Sequence, residues 1–136
     1  MKKILVLCTG NSCRSIMAEA IINKDFEGKA IAFSAGVNPA GKVNENTKKV
    51  LQKYGYWKDS YYSKDISEVL DMDFDLVITV CDNAKESCPS FPKKTKILHI
   101  PFEDPHGKPY KEFEKVFFHL KKYLNLYLIK ETKKLP

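Results

Sequence analysis

Arginine is nearly absent. Of the 23 basic residues, 22 are lysine, and Arg14 is the only guanidinium in 136 residues. So strong a bias reads as genome composition, which leaves the position of the one arginine as the informative part. Glycine and proline number 6 and 7, too few for a linker, a collagen-like repeat or a low-complexity tract. No stretch approaches the ~20 apolar residues that a membrane helix needs. Ile4–Leu7, behind Met1-Lys2-Lys3, is too short for a signal peptide. These absences lead to the expectation of a cytoplasmic chain with no membrane partner. The four cysteines, at positions 8, 13, 81 and 88, contain no C-x2-C pair, which argues against zinc. In a reducing compartment they are expected to be thiols, and any disulfide transient or catalytic.

What is present fits one domain spanning residues 1–136, with a core that needs no staple. Residues are 43% hydrophobic and 29% charged, outside the range of bulk disorder. The net charge is +6, and the surplus lies in the last third. Residues 1–92 hold 12 basic and 12 acidic residues; residues 93–136 hold 11 and 5. These lysines are dispersed and accompany no nucleic-acid-binding signature. They read as the solvated face of a helix and tail, with no nucleic acid as partner. A monomer is expected.

Ile4–Leu7 is an uninterrupted apolar run, the pattern of a parallel strand buried on both faces. A loop, Cys8–Cys13, follows it. From Arg14 a helix is predicted, with Met17, Ala20 and Ile21 on one face and Gly28 as its stop. Ala30–Ser34 reads as a second strand and Asn44–Tyr54 as a second helix ended by Gly55. Ile66–Leu70 is read as a short helix. Leu76–Val80 and Lys96–Ile100 read as two further strands. Tyr110–Lys130 is predicted to be a long helix with a stripe of Phe113, Val116, Phe117, Leu120, Leu124, Tyr127 and Leu128. Such alternation implies an α/β sandwich around a parallel sheet. Active groups in such sheets collect beyond the carboxyl ends of the strands, so Cys8 and Cys81, each directly after a strand, are expected on one edge. Tyr54, Tyr56, Trp57, Tyr61 and Tyr62 read as core and rim, and His99 as a structural histidine.

Cys8-Thr9-Gly10-Asn11-Ser12-Cys13-Arg14-Ser15 carries the chemistry. A loop between a strand and a helix turns its backbone N–H groups inward, and the helix N-terminus adds its positive dipole. Together they form a bowl for a tetrahedral oxyanion. Arg14 can hold two oxygens of that anion in a fork, which lysine cannot. The same field favours thiolate over thiol at Cys8, and the thiolate is the nucleophile. Cys13 reads as a packing residue, with a protective Cys8–Cys13 disulfide as the alternative.

The segment Cys8 to Glu19, Cys-Thr-Gly-Asn-Ser-Cys-Arg-Ser-x-Met-Ala-Glu, resembles the low-molecular-weight tyrosine phosphatase superfamily, and most its thioredoxin-coupled arsenate reductase branch. Ser34-Ala35-Gly36 and Glu103-Asp104-Pro105 match in order and spacing. The resemblance spans nearly the whole chain. It implies a three-layer sandwich with a four-stranded parallel sheet in the order 2-1-3-4, flanked by helices. It makes Asp104 the general acid and gives Ser15 a hydrogen bond to the Cys8 sulfur. In the phosphatase branch, Asp-Pro is usually followed by two tyrosines that frame an aromatic substrate. Here His106-Gly107 follow.

Cys81 and Cys88, within Cys81-Asp82-Asn83-Ala84-Lys85-Glu86-Ser87-Cys88-Pro89, match a pair that typical phosphatases of the family lack. By that resemblance Cys8 attacks arsenate, Cys81 attacks the Cys8 sulfur to expel arsenite, and Cys88 attacks Cys81. The resulting Cys81–Cys88 disulfide is reduced by thioredoxin. If residues 81–88 were helical, the two positions would lie about 10 Å apart along the axis. A disulfide needs Cα atoms within about 7 Å, so the segment is expected to rearrange on oxidation. No tightly bound cofactor is expected; some reductases of the resembled branch carry a potassium ion near the loop, and the matching positions here are Asn11, Glu19, Ser34 and Asp65, with loop support as the alternative role, above all for Asn11 and Ser34. The alternative enzyme reading is a phosphatase that hydrolyses phosphate monoesters through a Cys8 phosphocysteine. Outside enzymes, the alternative is a non-catalytic oxyanion-binding or redox-sensing module.

Overall fold

The computed structural model describes residues 1–81, 91 and 94–133. The described residues form four strands, β1 (Lys2–Cys8), β2 (Ala30–Gly36), β3 (Leu76–Thr79) and β4 (Ile97–His99), and three helices, α1 (Arg14–Asp25) after β1, α2 (Glu45–Lys53) after β2 and α3 (Tyr110–Lys133) after β4. A 3-10 turn occupies Ile66–Glu68. The sheet is parallel throughout, in the order β2-β1-β3-β4, as the resemblance implied.

The apolar run of β1 explains its central place. Ile4 to Leu7 are wholly buried, and alternate residues feed two cores because strand side chains alternate in direction. Ile4, Val6 and Cys8 pack with α1 and α3; Leu5 and Leu7 pack with Ala35, Val69, Val77 and Phe91 on the opposite face. α1 is buried on nearly all sides from Arg14 to Ile22. α3 closes the first core with Phe113, Phe117, Leu120, Leu124 and Leu128. Tyr127, expected in that stripe, is 43% exposed. The 3.6-residue period places it on the flank, one position before Leu128, where its hydroxyl stays wet. Tyr54 and Tyr56 lie against the Phe117 ring, with centroids 5.4 and 5.2 Å away, so this aromatic pair belongs to the packing of α2 against α3.

β1 pairs with β3 through Leu7 and Thr79. One step further, the Val80 N–H still donates to the Leu7 carbonyl (3.1 Å). Cys8 and Cys81 therefore leave neighbouring strands at the same edge of the sheet. His99 lies with its Nδ1 2.6 Å from Thr79 Oγ1, a structural pairing between the ends of β3 and β4.

Candidate active site

The loop from Thr9 to Cys13 joins β1 to α1. Helix α1 starts with no side-chain cap and no acidic residue in its first turn, so its first N–H groups and positive dipole face the loop. Asn11 sits at φ 46°, a left-handed conformation that asparagine tolerates better than most residues. Its side chain holds that shape. Nδ2 donates to Ser15 Oγ (2.8 Å) and Ser34 Oγ (3.0 Å), and Oδ1 accepts from the Lys64 N–H (2.8 Å). β2 must also come close. A Cβ on Gly36 would lie 2.5 Å from the Thr9 carbonyl oxygen, so only glycine admits the end of β2 beside the loop.

Cys8 is buried at the head of the loop. Its sulfur accepts from the Asn11 N–H (3.3 Å) and lies 3.0 Å from Ser15 Oγ. Such contacts stabilise a thiolate, whether as nucleophile or as leaving group. Arg14 is 3% exposed; Nη1 donates to the Phe102 carbonyl (3.0 Å), and Nη2 lies 3.7 Å from Asp104 Oδ2. Cys8, Gly10, Asn11, Ser12, Cys13, Arg14 and Asp104 line one small cavity. The thiol, the guanidinium and the carboxyl singled out from sequence thus meet at one point. Asp104 is steadied by the His106 N–H, which donates to its Oδ1 (3.0 Å). The Asn44 side chain caps α2 through the Asn46 N–H, its N–H donates to the Ser12 carbonyl, and Nδ2 lies 3.4 Å from His106 Nδ1. The start of α2 therefore links the loop to the segment carrying Asp104.

Cys13 is a buried free thiol, as is Cys8. Burial pushes the Cys13 thiol up and outweighs the opposing contact with the Ser12 hydroxyl (3.5 Å), which suits a neutral packing group. Cys81 is wholly buried and disulfide-bonded. Cys88, and with it the expected rearrangement of residues 81–88, lies outside the described residues.

Of the residues expected to surround potassium, Asn11, Glu19 and Ser34 come together: Ser34 Oγ donates to Glu19 Oε1 (2.6 Å) and accepts from Asn11. Asp65 does not join them. Its carboxylate turns outward and accepts from the Ser67 N–H (2.9 Å), capping the 3-10 turn, while its backbone bridges to Gly36. The preceding residue, Lys64, points inward instead. Its Nζ donates to the Ser34 carbonyl (2.9 Å). No feature of the sequence distinguished this lysine from the other 21. Among the described residues, no group of three or more His, Cys, Asp or Glu is placed to hold a metal ion.

A parallel α/β sheet with a thiol-headed oxyanion loop at the carboxyl ends of its strands defines the class. The chain belongs to the low molecular weight phosphotyrosine protein phosphatase family, which its residues 3–135 match. It is 40% identical over 115 residues to an arsenate reductase of Bacillus cereus (strain G9842), covering 85% of each chain. The crystal structure of an arsenate reductase from Archaeoglobus fulgidus is 34% identical with a TM-score of 0.78, covering 89% of this chain and 94% of that one. An arsenate reductase in the phosphate binding state aligns with a TM-score of 0.81 at 26% identity, over 96% and 98% of the two chains.

Proposed function

We propose that this chain reduces arsenate to arsenite with thioredoxin as the electron source. The observation that carries the reading is the placement of two thiol positions, Cys8 and Cys81, at the ends of adjacent strands beside one oxyanion loop. A phosphatase cycle uses Cys8, Arg14 and Asp104 and has no need of Cys81. The names of the relatives favour the same reading.

The steps follow from the chemistry of the residues. The loop N–H groups, the α1 dipole and the Arg14 fork bind the arsenate oxygens. Cys8 attacks arsenic and displaces one oxygen, which Asp104 protonates so that it leaves as water. The Cys81 thiolate then attacks the Cys8 sulfur. The sulfur–arsenic electron pair stays on arsenic, which leaves as arsenite, two electrons richer, and a Cys8–Cys81 disulfide remains. Cys88 attacks Cys81 and frees Cys8. A dithiol of thioredoxin reduces the Cys81–Cys88 bond and takes up its oxidation. Ser15, 3.0 Å from the Cys8 sulfur, stabilises it each time it departs as a thiolate.

The test is arsenate-dependent NADPH oxidation with thioredoxin and its reductase, in wild type, Cys81→Ser and Cys88→Ser. The relay requires both variants to lose multiple turnover. Turnover that survives both changes overturns it. Full cleavage of a small aryl phosphate by both variants, with no arsenate-dependent oxidation by wild type, assigns the chain to the phosphatase reading.

A further inference from the structure

We propose that Lys64 is the resident cation of the anion loop's support, and that its ammonium does from within the chain what a bound potassium ion would do.

Backbone carbonyls beside the expected potassium ligands already have a cationic partner. Lys64 is 8% exposed, rare for a lysine unless its charge is met. Its Nζ donates to the carbonyl oxygens of Ser34 (2.9 Å) and Tyr62 (3.1 Å) and lies 4.4 Å from the centroid of the Tyr62 ring. Two carbonyls and an aromatic face are a binding set for a compact monovalent cation. The neighbouring buried carboxyl is Glu19, 6% exposed, and Lys64 is the foremost charge acting on it. The fourth oxygen ligand that potassium would want is missing, since Asp65 caps the 3-10 turn instead. A second cation beside the ammonium would meet like charge in a poorly solvated place. With the ammonium in place, the residues present therefore do not fit potassium.

The same lysine reaches the nucleophile by two routes. Its backbone N–H holds Asn11 Oδ1, and its carbonyl accepts from the Gly36 N–H (2.9 Å). Through its ammonium it anchors the Ser34 carbonyl and faces Glu19; Glu19 accepts from Ser34, Ser34 from Asn11, and Asn11 donates to Ser15, which contacts Cys8. Lys64 touches neither the thiol nor the oxyanion cavity and is a positioning residue. A cavity of about 430 Å³, lined in part by Glu19, Lys64, Tyr61 and Tyr62, opens beside the cluster. A cation from solvent has a way in once the ammonium is removed.

Lys64→Ser and Lys64→Met separate charge from packing. The first leaves room for a cation; the second fills the space without charge. The reduced proteins are alkylated with iodoacetamide in potassium chloride and in tetramethylammonium chloride at about 0.1 M, and the Cys8 peptide is followed by mass spectrometry. Wild type is expected to react equally in both salts. Lys64→Ser is expected to lose about tenfold in rate in tetramethylammonium and to recover in potassium. Lys64→Met is expected to be slow in both. A wild-type rate that rises with potassium overturns the proposal, as does Lys64→Ser reacting at the wild-type rate without potassium. If Lys64→Ser does not fold, the wild type still decides: a thermal midpoint raised by potassium above its value in tetramethylammonium overturns the idea, and equal midpoints with equal alkylation rates support it. The readout is Cys8 reactivity, so a failure of the arsenate reading leaves this answer intact.

Discussion

Arg14 Nη2 lies 3.7 Å from Asp104 Oδ2, across the mouth of the oxyanion cavity. The two groups differ in their surroundings: Arg14 is 3% exposed and Asp104 45%. Water screens the pair from the Asp104 side, so it contributes little to stability. Its value is positional. The guanidinium also holds the Phe102 carbonyl, two residues before Asp104, so one side chain spans the anion loop and the segment that carries the acid.

Arg14→Lys is expected to keep the charge and the fold while losing oxyanion binding. Lysine offers a point charge in place of a planar fork and cannot reach two anion oxygens and the Phe102 carbonyl at once. Phosphate affinity, measured by calorimetry, is expected to fall about 100-fold, the scale of one charge-assisted pair. The urea midpoint is expected to change little. Unchanged phosphate affinity would show that the loop amides and the α1 dipole bind the anion alone.

Gly36→Ala tests the close approach of β2 to the loop. The added Cβ meets a backbone carbonyl at 2.5 Å, and a backbone atom cannot swing aside as a side-chain tip can. The strain, typically 1–3 kcal/mol for overpacking, is expected to appear as lost stability in urea unfolding and as slower alkylation of Cys8, because the displaced carbonyl belongs to Thr9. A variant with wild-type stability and Cys8 reactivity would mean that β2 retreats at no cost to the loop.

Much of this architecture was legible because burial writes itself into residue type. Ile4–Leu7 is apolar on both faces and Leu76–Val80 is apolar save Thr79, as central parallel strands tend to be, and the loop between Cys8 and Arg14 declares its chemistry by spacing. Asp104 was legible only through resemblance, since an Asp-Pro pair alone is a turn signal. Lys64 was not legible. A buried lysine differs from an exposed one by its surroundings, which come from Ser34 and Tyr62 across the fold. The place of Asp65 was hidden for a related reason: the choice between a capping role and an inward ligand depends on the direction of one peptide, and the backbone bridge to Gly36 leaves Asp65 capping the 3-10 turn and Lys64 pointing in. Phe102 contributes a carbonyl, a group that every residue has, so nothing marked it.

Asp25 is expected to clamp α1 to α3. Burial pushes its carboxyl up, but hydrogen bonds from Lys121, Tyr56 and Asn125 outweigh that and hold it below the usual range. A lowered carboxyl contributes stability that is present above its unfolded value, near 3.8, and is lost as pH falls through the folded value. Asp25→Ala is expected to cost roughly 1–3 kcal/mol at pH 7, because it leaves donors on α3 unmet. The gap in urea midpoint between wild type and variant is expected to narrow below about pH 4. A gap that stays constant down to pH 3 would assign the loss to packing and not to charge.

Glu19 is expected to give the opposite pH dependence. Burial pushes its carboxyl from 4.5 up to about 7, with Lys64 the main opposing influence. A carboxyl raised in the fold binds its proton more tightly there than in the unfolded chain. Its contribution to stability is therefore full below about pH 4.5 and is lost as pH rises toward 7. Glu19→Gln keeps an oxygen to accept from Ser34 Oγ while removing the titration. Between pH 4.5 and 7, wild type is expected to lose stability with rising pH relative to Glu19→Gln, by a few kcal/mol in all. Above pH 7 the difference is expected to level off. Parallel stability curves for the two proteins across that window would show that Glu19 titrates in the fold as it does in the unfolded chain, and that the Ser34–Asn11–Ser15 bonds leading to Cys8 do not depend on its charge.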